Sequence, residues 1–279
     1  MAETSITTAA TWIKNMWDPI DVAATEEEIF AGLISQRQKS FGLLTIPFMA
    51  NTPALAATTG SMSGQSLTYD APTEGSATLT PGTQYAAKEV DLPVILRAVQ
   101  DPQGAIKENL TDAIVAVIDS TALSRVASLV TNIVTAPGGL TKAAILSAIR
   151  LGATGGKKLW KPGQSGPFCC LHVSNVDDLL NISDITAAQM RGDRMNPIVT
   201  GWAATSFGVD FYESGNVFVS GGNAYNVMCI PRAFGMSYNQ RPDVLLQEFG
   251  LAVRIICYAD FATNIVRDAY AVQIVTPAT

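Results

Sequence analysis

The sequence has few of the side chains that enzymes use for chemistry. His172 is the one histidine among 279 residues, so any Ser-His-Asp or Cys-His device must use it. It follows an apolar strand-like run and lies near Ser174 and Asp177, but a structural histidine is the preferred interpretation. The count excludes a histidine-rich metal site, and the carboxylates have no anchoring motif. We predict no catalytic residue, no cofactor and no metal site.

The few cysteines are predicted to be free thiols. They have neither CxxC spacing nor zinc-finger spacing, and three of them lie in apolar strand-like runs. Cysteines of this kind pack as small hydrophobic side chains and stay unpaired in a reducing compartment. The four residues are Cys169, Cys170, Cys229 and Cys257.

Long apolar runs and basic clusters are also missing. No stretch approaches twenty unbroken apolar residues, and the first residues lack the basic start and apolar run of a secretory signal. The net charge is −6, and the densest basic group is Lys157, Lys158 and Lys161. Binding of nucleic-acid phosphates needs clustered Lys and Arg. We therefore expect a soluble, folded protein made inside a cell, and neither a membrane protein nor a nucleic-acid binder.

A long helix is predicted over residues 101–134. Asp101 can cap free amides and Pro102 suits the first helical position, whereas Pro137 and the two glycines after it cannot continue a helix. Some thirty residues at about 1.5 Å each give a rod on the order of 50 Å. This is longer than a compact domain of this size needs, so the helix is interpreted as a strut.

The apolar stripe of this helix changes sides near Asp119. Before it, apolar residues recur at spacings of three and four; after Thr121 they line nearly the opposite side. Either one continuous helix contacts two packing partners, or the helix breaks near Asp119, whose side chain could cap a second helix. The single weak break signal favours the continuous helix. The two sets are Ile106, Leu110, Ala113, Ile114 and Val117, then Ala122, Val126, Leu129, Val130 and Ile133.

The N-terminal part, residues 1–42, is predicted to be an extended arm with helical pieces. Trp12 and Trp17 come unusually early for an unpacked tail, so they should dock on this subunit or on a neighbour. An amphipathic helix is predicted to open at residues 25–28. Its apolar side would carry Ile29, Phe30, Leu33 and Ile34.

A projecting β-hairpin is predicted next. Residues 43–49 form a short apolar strand, and the stretch after it is rich in Gly, Ser, Thr, Pro and Ala. Strand-like pieces at residues 66–70 and 84–96 flank a turn-rich middle. Such a hairpin has too little apolar surface to be stable alone. A flexible surface loop is the alternative.

The second half of the chain is predicted to be α/β and then β. Thr141 caps a helix over residues 142–151, and a buried strand over residues 168–173 leads into a helix capped by Ser174. A short strand with aromatic alternation follows. Further strands are predicted at residues 225–230, 244–249, 251–258 and 265–275, with a turn at residues 239–242.

This order of segments resembles the major capsid proteins of tailed bacteriophages, those with the Hong Kong 97 fold. An arm carrying WDPIDVAATEEEIFAGLISQRQ is followed by FGLLTIP and by SLTYDAPTEGSATLTPGTQYAAKEVDLPVIL, which is similar to the family's extended loop. The long helix matches the spine helix. FCCLHVSNVDDLLN and IVTGWAATSFGVDFYESGNV are similar to the axial domain. PRAFGMSYNQRPDVLLQEFG and DAYAVQIVT resemble the return to the peripheral sheet.

The resemblance implies an α+β, Hong Kong 97-like fold with an N-terminal arm, an extended β-hairpin loop, a peripheral domain with a spine helix, and an α/β axial domain. The implied divisions are the arm, 1–42; the start of the peripheral domain and loop entry, 43–65; the extended loop, 66–96; the peripheral domain with the spine helix, 97–139; the axial domain, 140–230; and the return to the peripheral sheet, 231–279.

It also implies a function without enzyme activity. The subunit would assemble into hexamers and pentamers of an icosahedral head around double-stranded DNA, in a virion built in the bacterial cytoplasm. Its partners would be copies of itself, with scaffolding, portal and decoration proteins as further candidates. An acidic subunit suits DNA held by confinement, because a basic lining would bind the DNA and hinder its exit.

Intersubunit contacts are expected from apolar and aromatic side chains on the N-terminal arm and the extended loop, which we call the limbs. Aromatic residues carry much of an interface's energy. A covalent cross-link through Lys88, as in some members, is less favoured than a solvated charge. The hypothesised anchors are Trp12, Trp17, Leu67, Tyr69 and Tyr85.

Two other classes stay open. One is a different assembly protein, such as an encapsulin-like nanocompartment shell with the same fold, a decoration subunit or a tail-tube subunit, of which the last would lack the long central helix. The other is an α/β enzyme that acts through His172.

Overall fold

The computed structural model describes residues 29–37, 44–49, 74–97, 102–154, 166–182, 202–206 and 208–278. Within these ranges the chain forms a four-stranded sheet, a seven-stranded sheet and a two-stranded ribbon, together with one long helix and several short ones. This mixed architecture agrees with the predicted α+β class. No helix in the described ranges has the length and hydropathy needed to cross a bilayer.

The first half contains α1 (Phe30–Leu33), β1 (Ser35–Arg37), β2 (Leu44–Met49), β3 (Glu74–Leu79), β4 (Gly82–Asp91), α2 (Leu92–Arg97), α3 (Pro102–Ser124), a 3₁₀ turn (Arg125–Ser128) and β5 (Ile133–Thr135). The second half contains α4 (Lys142–Thr154), β6 (Phe168–Leu171), α5 (Val173–Leu180), β7 (Trp202–Ser206), β8 (Val209–Glu213), β9 (Val219–Ser220), β10 (Asn223–Cys229), β11 (Phe234–Phe249), β12 (Ala252–Ile265), a second 3₁₀ turn (Asp268–Tyr270) and β13 (Ala271–Pro277).

The four-stranded sheet has the order β1-β11-β12-β4. β11 and β12 form an antiparallel hairpin, β4 pairs antiparallel with β12, and β1 pairs parallel with β11. Along β12 every second residue from Val253 to Phe261 is buried, which is the alternation of a strand with one covered face. The helix α3 covers that face, since Val253, Ile255 and Cys257 share a core with its apolar residues.

The seven-stranded sheet has the order β5-β13-β10-β6-β8-β7, with β9 beside β10. Both of its faces are covered, which explains why all four residues of β6 are buried. Cys169 and Leu171 pack with α4 and α5 on one face, while Phe168 and Cys170 pack with the end of α3 on the other. All four cysteines are free and buried, as predicted. Burial raises the pKa of Cys170 well above the ordinary thiol value.

The helix α3 is continuous through Asp119, as the favoured interpretation predicted, and the alternative of a break there is wrong. Buried residues recur in it at every fourth position from Ile106 to Ala122. An α-helix has about 3.6 residues per turn, so each such step turns the stripe by about 40°, and four steps turn it by roughly 160°. The change of sides is therefore a gradual rotation along one helix, and Asp119 lies fully buried within it.

The helical region ends earlier than predicted, at Ser128 and not near residue 134. The carboxylate of Asp268 accepts hydrogen bonds from the amides of Val130 and Thr131 at 3.4 and 3.0 Å. Residues 133–135 then pair parallel with β13. Bonds to distant parts of the chain thus replace the helical bonds that these residues could have made.

The described residues around the predicted hairpin make two pairings that the sequence did not predict. β2 pairs with β3, from Leu44 opposite Leu79 to Met49 opposite Glu74, and β4 pairs with β12 along its whole length. Residues 92–97 are helical and not extended; Pro93 falls in the first helical turn, where its missing N–H is not needed. Residues 66–70 lie outside the described ranges, and the domain divisions stay predictions.

Two smaller corrections concern a turn and a cap. The predicted turn at residues 239–242 lies inside β11, where register shifts after Tyr238 and Gln240 mark bulges that accommodate Pro242. The helix α5 is capped by His172 and not by Ser174, because the Ser174 amide donates to His172 Nδ1 at 3.3 Å. The predicted cap at Thr141 is confirmed, since its hydroxyl oxygen accepts from the Ala144 amide at 3.2 Å.

Candidate assembly surfaces

One face of the four-stranded sheet is not covered by α3, and we call it the open sheet face. The pairing registers place Leu245, Ile256 and Ala87 side by side across β11, β12 and β4. Ile256 is half-buried and Leu245 is 46% exposed, although the neighbouring residue Ile255 is fully buried on the α3 side. An apolar row therefore crosses three strands on the open sheet face.

Polar rows flank this apolar row. On one side Gln247, Arg254 and Glu89 lie opposite one another, and Arg254 Nε donates to Glu89 Oε2 at 2.7 Å. The Glu89 side chain is 8% exposed, so this ion pair is much less hydrated than a surface pair. On the other side Asp243, Tyr258 and Tyr85 lie opposite one another.

The open sheet face contains a groove of about 360 Å³. Ile256 and Ala87 lie in it, between Tyr85 and the Glu89–Arg254 pair. Interface cores typically combine an apolar centre with aromatic and arginine side chains and a polar rim. The open sheet face therefore has the chemistry of a protein contact. Lining residues of the groove also include Lys88 and Gln247.

The far end of the β11–β12 hairpin is apolar on both sides. Leu246 is 45% exposed, and Leu251 is 75% exposed directly after Gly250, whose φ of +62° makes the turn. Three exposed leucines within seven residues make this end of the hairpin a candidate binding region. Together with Leu245, these residues extend the candidate contact beyond the groove.

His172 caps the helix α5. Its Nδ1 lies 2.8 Å from Ser174 Oγ and accepts from the Ser174 amide, which caps α5. Its backbone amide donates to the buried side chain of Asn226 at 2.7 Å. Within the described ranges Asp177 is not among its hydrogen-bond partners, and no group of three or more His, Cys, Asp or Glu is arranged to hold a metal ion.

Of the residues expected at intersubunit contacts, Tyr85 is described. It lies on the edge strand β4 and is 74% exposed, at the rim of the groove. Trp12, Trp17, Leu67 and Tyr69 lie outside the described residues.

The sequence interpretation missed four apolar contact candidates on the hairpin, although a signal for the leucines was present. The stretch VLLQEFGLAV has apolar residues at both parities of a strand, so a sheet with one covered face must leave some of them exposed. The missed residues are Leu245, Leu246, Leu251 and Ile256.

Comparisons with protein-family models and with curated proteins gave no match. Solved phage structures match over nearly the whole chain. The capsid of Ralstonia phage GP4 gives a TM-score of 0.73 at 10% identity, covering 94% of each chain. The capsid structure of Cyanophage P-SCSP1u gives 0.70 at 11% identity, covering 94% of this chain and 91% of that one. A chain from Mycobacterium phage Che8 gives 0.69 at 15% identity, covering 92% and 95%.

The chain therefore has the fold of phage capsid proteins. The predicted resemblance to the major capsid proteins of tailed phages is confirmed at the level of the fold, with nearly complete coverage on both sides. At sequence identities of 10–15%, the structural similarity shows the fold alone. The function has to be inferred from the surfaces of the molecule.

Proposed function

We propose that this protein is a major capsid protein, a structural subunit of a phage head. The match to the capsid of Ralstonia phage GP4, over almost all of both chains, is the observation that carries the proposal. The apolar groove and hairpin end support it, because a shell subunit must bury such surface against several neighbours.

In this proposal the partners are many copies of the same chain, arranged as hexamers and pentamers of an icosahedral shell that encloses double-stranded DNA. The virion is the place of function, and the shell is built in the bacterial cytoplasm. Scaffolding, portal and decoration proteins are further candidate partners. The net charge of −6 suits DNA that is confined and not bound.

The open sheet face is proposed as a contact between neighbouring subunits, with Tyr85 as an anchor. The limbs of an adjacent copy, carrying Trp12, Trp17, Leu67 and Tyr69, are the proposed source of the covering side chains. Contacts made by limbs tolerate the slightly different geometries around five-fold and six-fold axes, because they add avidity without a rigid interface.

Light scattering and electron microscopy of the purified full-length protein test this function. We expect capsomers or closed shells, with mass rising at higher protein concentration. A protein that stays monomeric at high concentration and under crowding would contradict the proposal. Particles that hold a cargo protein in place of DNA would favour the nanocompartment alternative.

The substitution His172→Ala distinguishes the capsid proposal from the enzyme alternative. Under the capsid proposal, it should destabilise α5 by about 1 kcal/mol, as removal of a helix cap usually does. Assembly should persist, and thermal unfolding together with microscopy would measure both. A catalytic activity that disappears in a folded His172→Ala protein would support the enzyme instead.

A further inference from the structure

The buried side chain of Asp119 joins three distant parts of the chain. The Ala31 amide donates to its Oδ1 at 2.9 Å. The Asn216 side-chain amide and the Ser214 hydroxyl donate to its Oδ2 at 3.3 and 3.5 Å. Asp119 lies within α3, Ala31 in α1, and Ser214 and Asn216 directly after β8. Because Asp119 is 0% exposed, water does not replace a lost contact in the folded state.

The contact to Ala31 supplies what α1 lacks. This helix is a single turn, and its N-cap residue Ile29 makes no side-chain cap hydrogen bond. The first amides of a helix have no acceptor within the helix, and a carboxylate near them is favoured by the helix dipole. Asp119 provides that acceptor from another helix, 88 residues away in sequence.

Apolar packing completes the docking of α1. Phe30 is fully buried and packs edge-on against Phe234 and Phe168, with ring centroids 5.2 and 6.0 Å apart. Directly after α1, residues 35–37 pair with β11 as the short strand β1. Ala31 and Ile34 are buried beside Phe30 in the same core. Residues 29–37, which we call the α1–β1 segment, are thus held by a small set of buried apolar side chains, one buried carboxylate and one short strand.

We propose that Asp119 is a latch that holds the α1–β1 segment on the body as a separately opening unit. Short segments joined to a sheet by a brief outer strand open at lower free energy than the core around them, and β1 is such a strand. β10, in contrast, lies between two paired strands and is buried on both faces. Loss of the latch should therefore release the α1–β1 segment while the seven-stranded sheet stays folded. This inference goes beyond the proposed capsid function and does not depend on it.

Hydrogen–deuterium exchange of the full-length chain tests the latch. In the wild-type protein we expect the Ala31 amide to be protected to a similar degree as that of Ile34. Asp119→Leu keeps a similar volume but removes both acceptor oxygens, so α1 amides should exchange roughly ten-fold to a hundred-fold faster, as expected when a buried donor loses its acceptor. Amides of β10 should change much less. Asp119→Asn keeps one acceptor oxygen and should have a smaller effect.

Ser214→Ala is the matched control, because it removes a contact on the other side of Asp119 and leaves the Ala31 contact in place. It should not accelerate exchange in α1 relative to β10. Equal acceleration of α1 and β10 in Asp119→Leu, or an unprotected Ala31 amide in the wild-type protein, would overturn the latch. If Asp119→Leu fails to fold, the wild-type protection of Ala31 decides, since this amide exchanges freely without an acceptor.

Discussion

At the scale of single residues, three carboxylates organise the backbone at element ends, and of these three Asp119 is fully buried. Asp119 binds the amide of Ala31, Asp178 binds that of Leu140, and Asp268 binds that of Thr131. None of these pairings is visible in the sequence, because the partners are between 38 and 137 residues apart. The sequence does show caps within a few residues, which is why Thr141 could be predicted and the acceptor for Leu140 could not.

Gly139 illustrates such a site and gives a residue-scale prediction. Its φ is +93°, and a Cβ atom there would lie 2.6 Å from Asp178 Oδ2, the oxygen that binds the Leu140 amide. We expect Gly139→Ala to lower the free energy of unfolding by about 1–3 kcal/mol, the usual cost of a strained backbone position. Chemical denaturation measures the change.

Gly138 is the control for this substitution. A Cβ atom there meets no atom within 4 Å, so Gly138→Ala should change stability little. Equal effects of the two substitutions would show that neither the positive φ nor the contact with Asp178 governs this turn.

At the scale of elements, the sequence indicated which segments are helices and strands better than where they pair. Periodicity of apolar residues is local, so α3, α4 and the strands of the second half could be predicted. Strand partners depend on packing between distant segments, so the pairing of β4 with β12 could not be predicted. The apolar residues of α3 were interpreted as two separate faces. A stripe built on every fourth residue turns gradually around a helix, so its two ends point to nearly opposite sides.

The rotating stripe of α3 makes a prediction at adjacent positions. Ile118 is fully buried, whereas Val117 is 37% exposed. Ile118→Ala should cost about 2–5 kcal/mol of stability, because it removes buried methyl groups and leaves a cavity. Val117→Ala should cost less than about 1 kcal/mol, in line with its exposed position. Urea denaturation of both variants measures the difference, and a similar cost for both would mean that the stripe does not follow every fourth residue here.

At the scale of the whole molecule, the described residues leave apolar side chains exposed around one sheet. The groove on the open sheet face and the leucines at the end of the β11–β12 hairpin lie on the same sheet. Tyr85 was predicted as a contact from its place on a limb, but its actual place is the edge of this sheet. That apolar side chains are exposed follows from the alternation of side chains between the two faces of a strand. Where they are exposed depends on which strands pair.

Substitutions on this surface should separate folding from assembly. Tyr85→Ala and Leu251→Asp change side chains that are 74% and 75% exposed, so the free energy of unfolding of the subunit should change by less than about 1 kcal/mol. Truncation of an interface anchor typically costs about 2 kcal/mol or more for each contact, and a shell repeats the contact many times. We therefore expect a large loss of particles, measured by light scattering and microscopy at matched protein concentration. Gln84→Ala, one residue away on β4 and of opposite parity, should leave particle yield unchanged. Normal particles from both Tyr85→Ala and Leu251→Asp would show that copies of the chain do not meet through this surface.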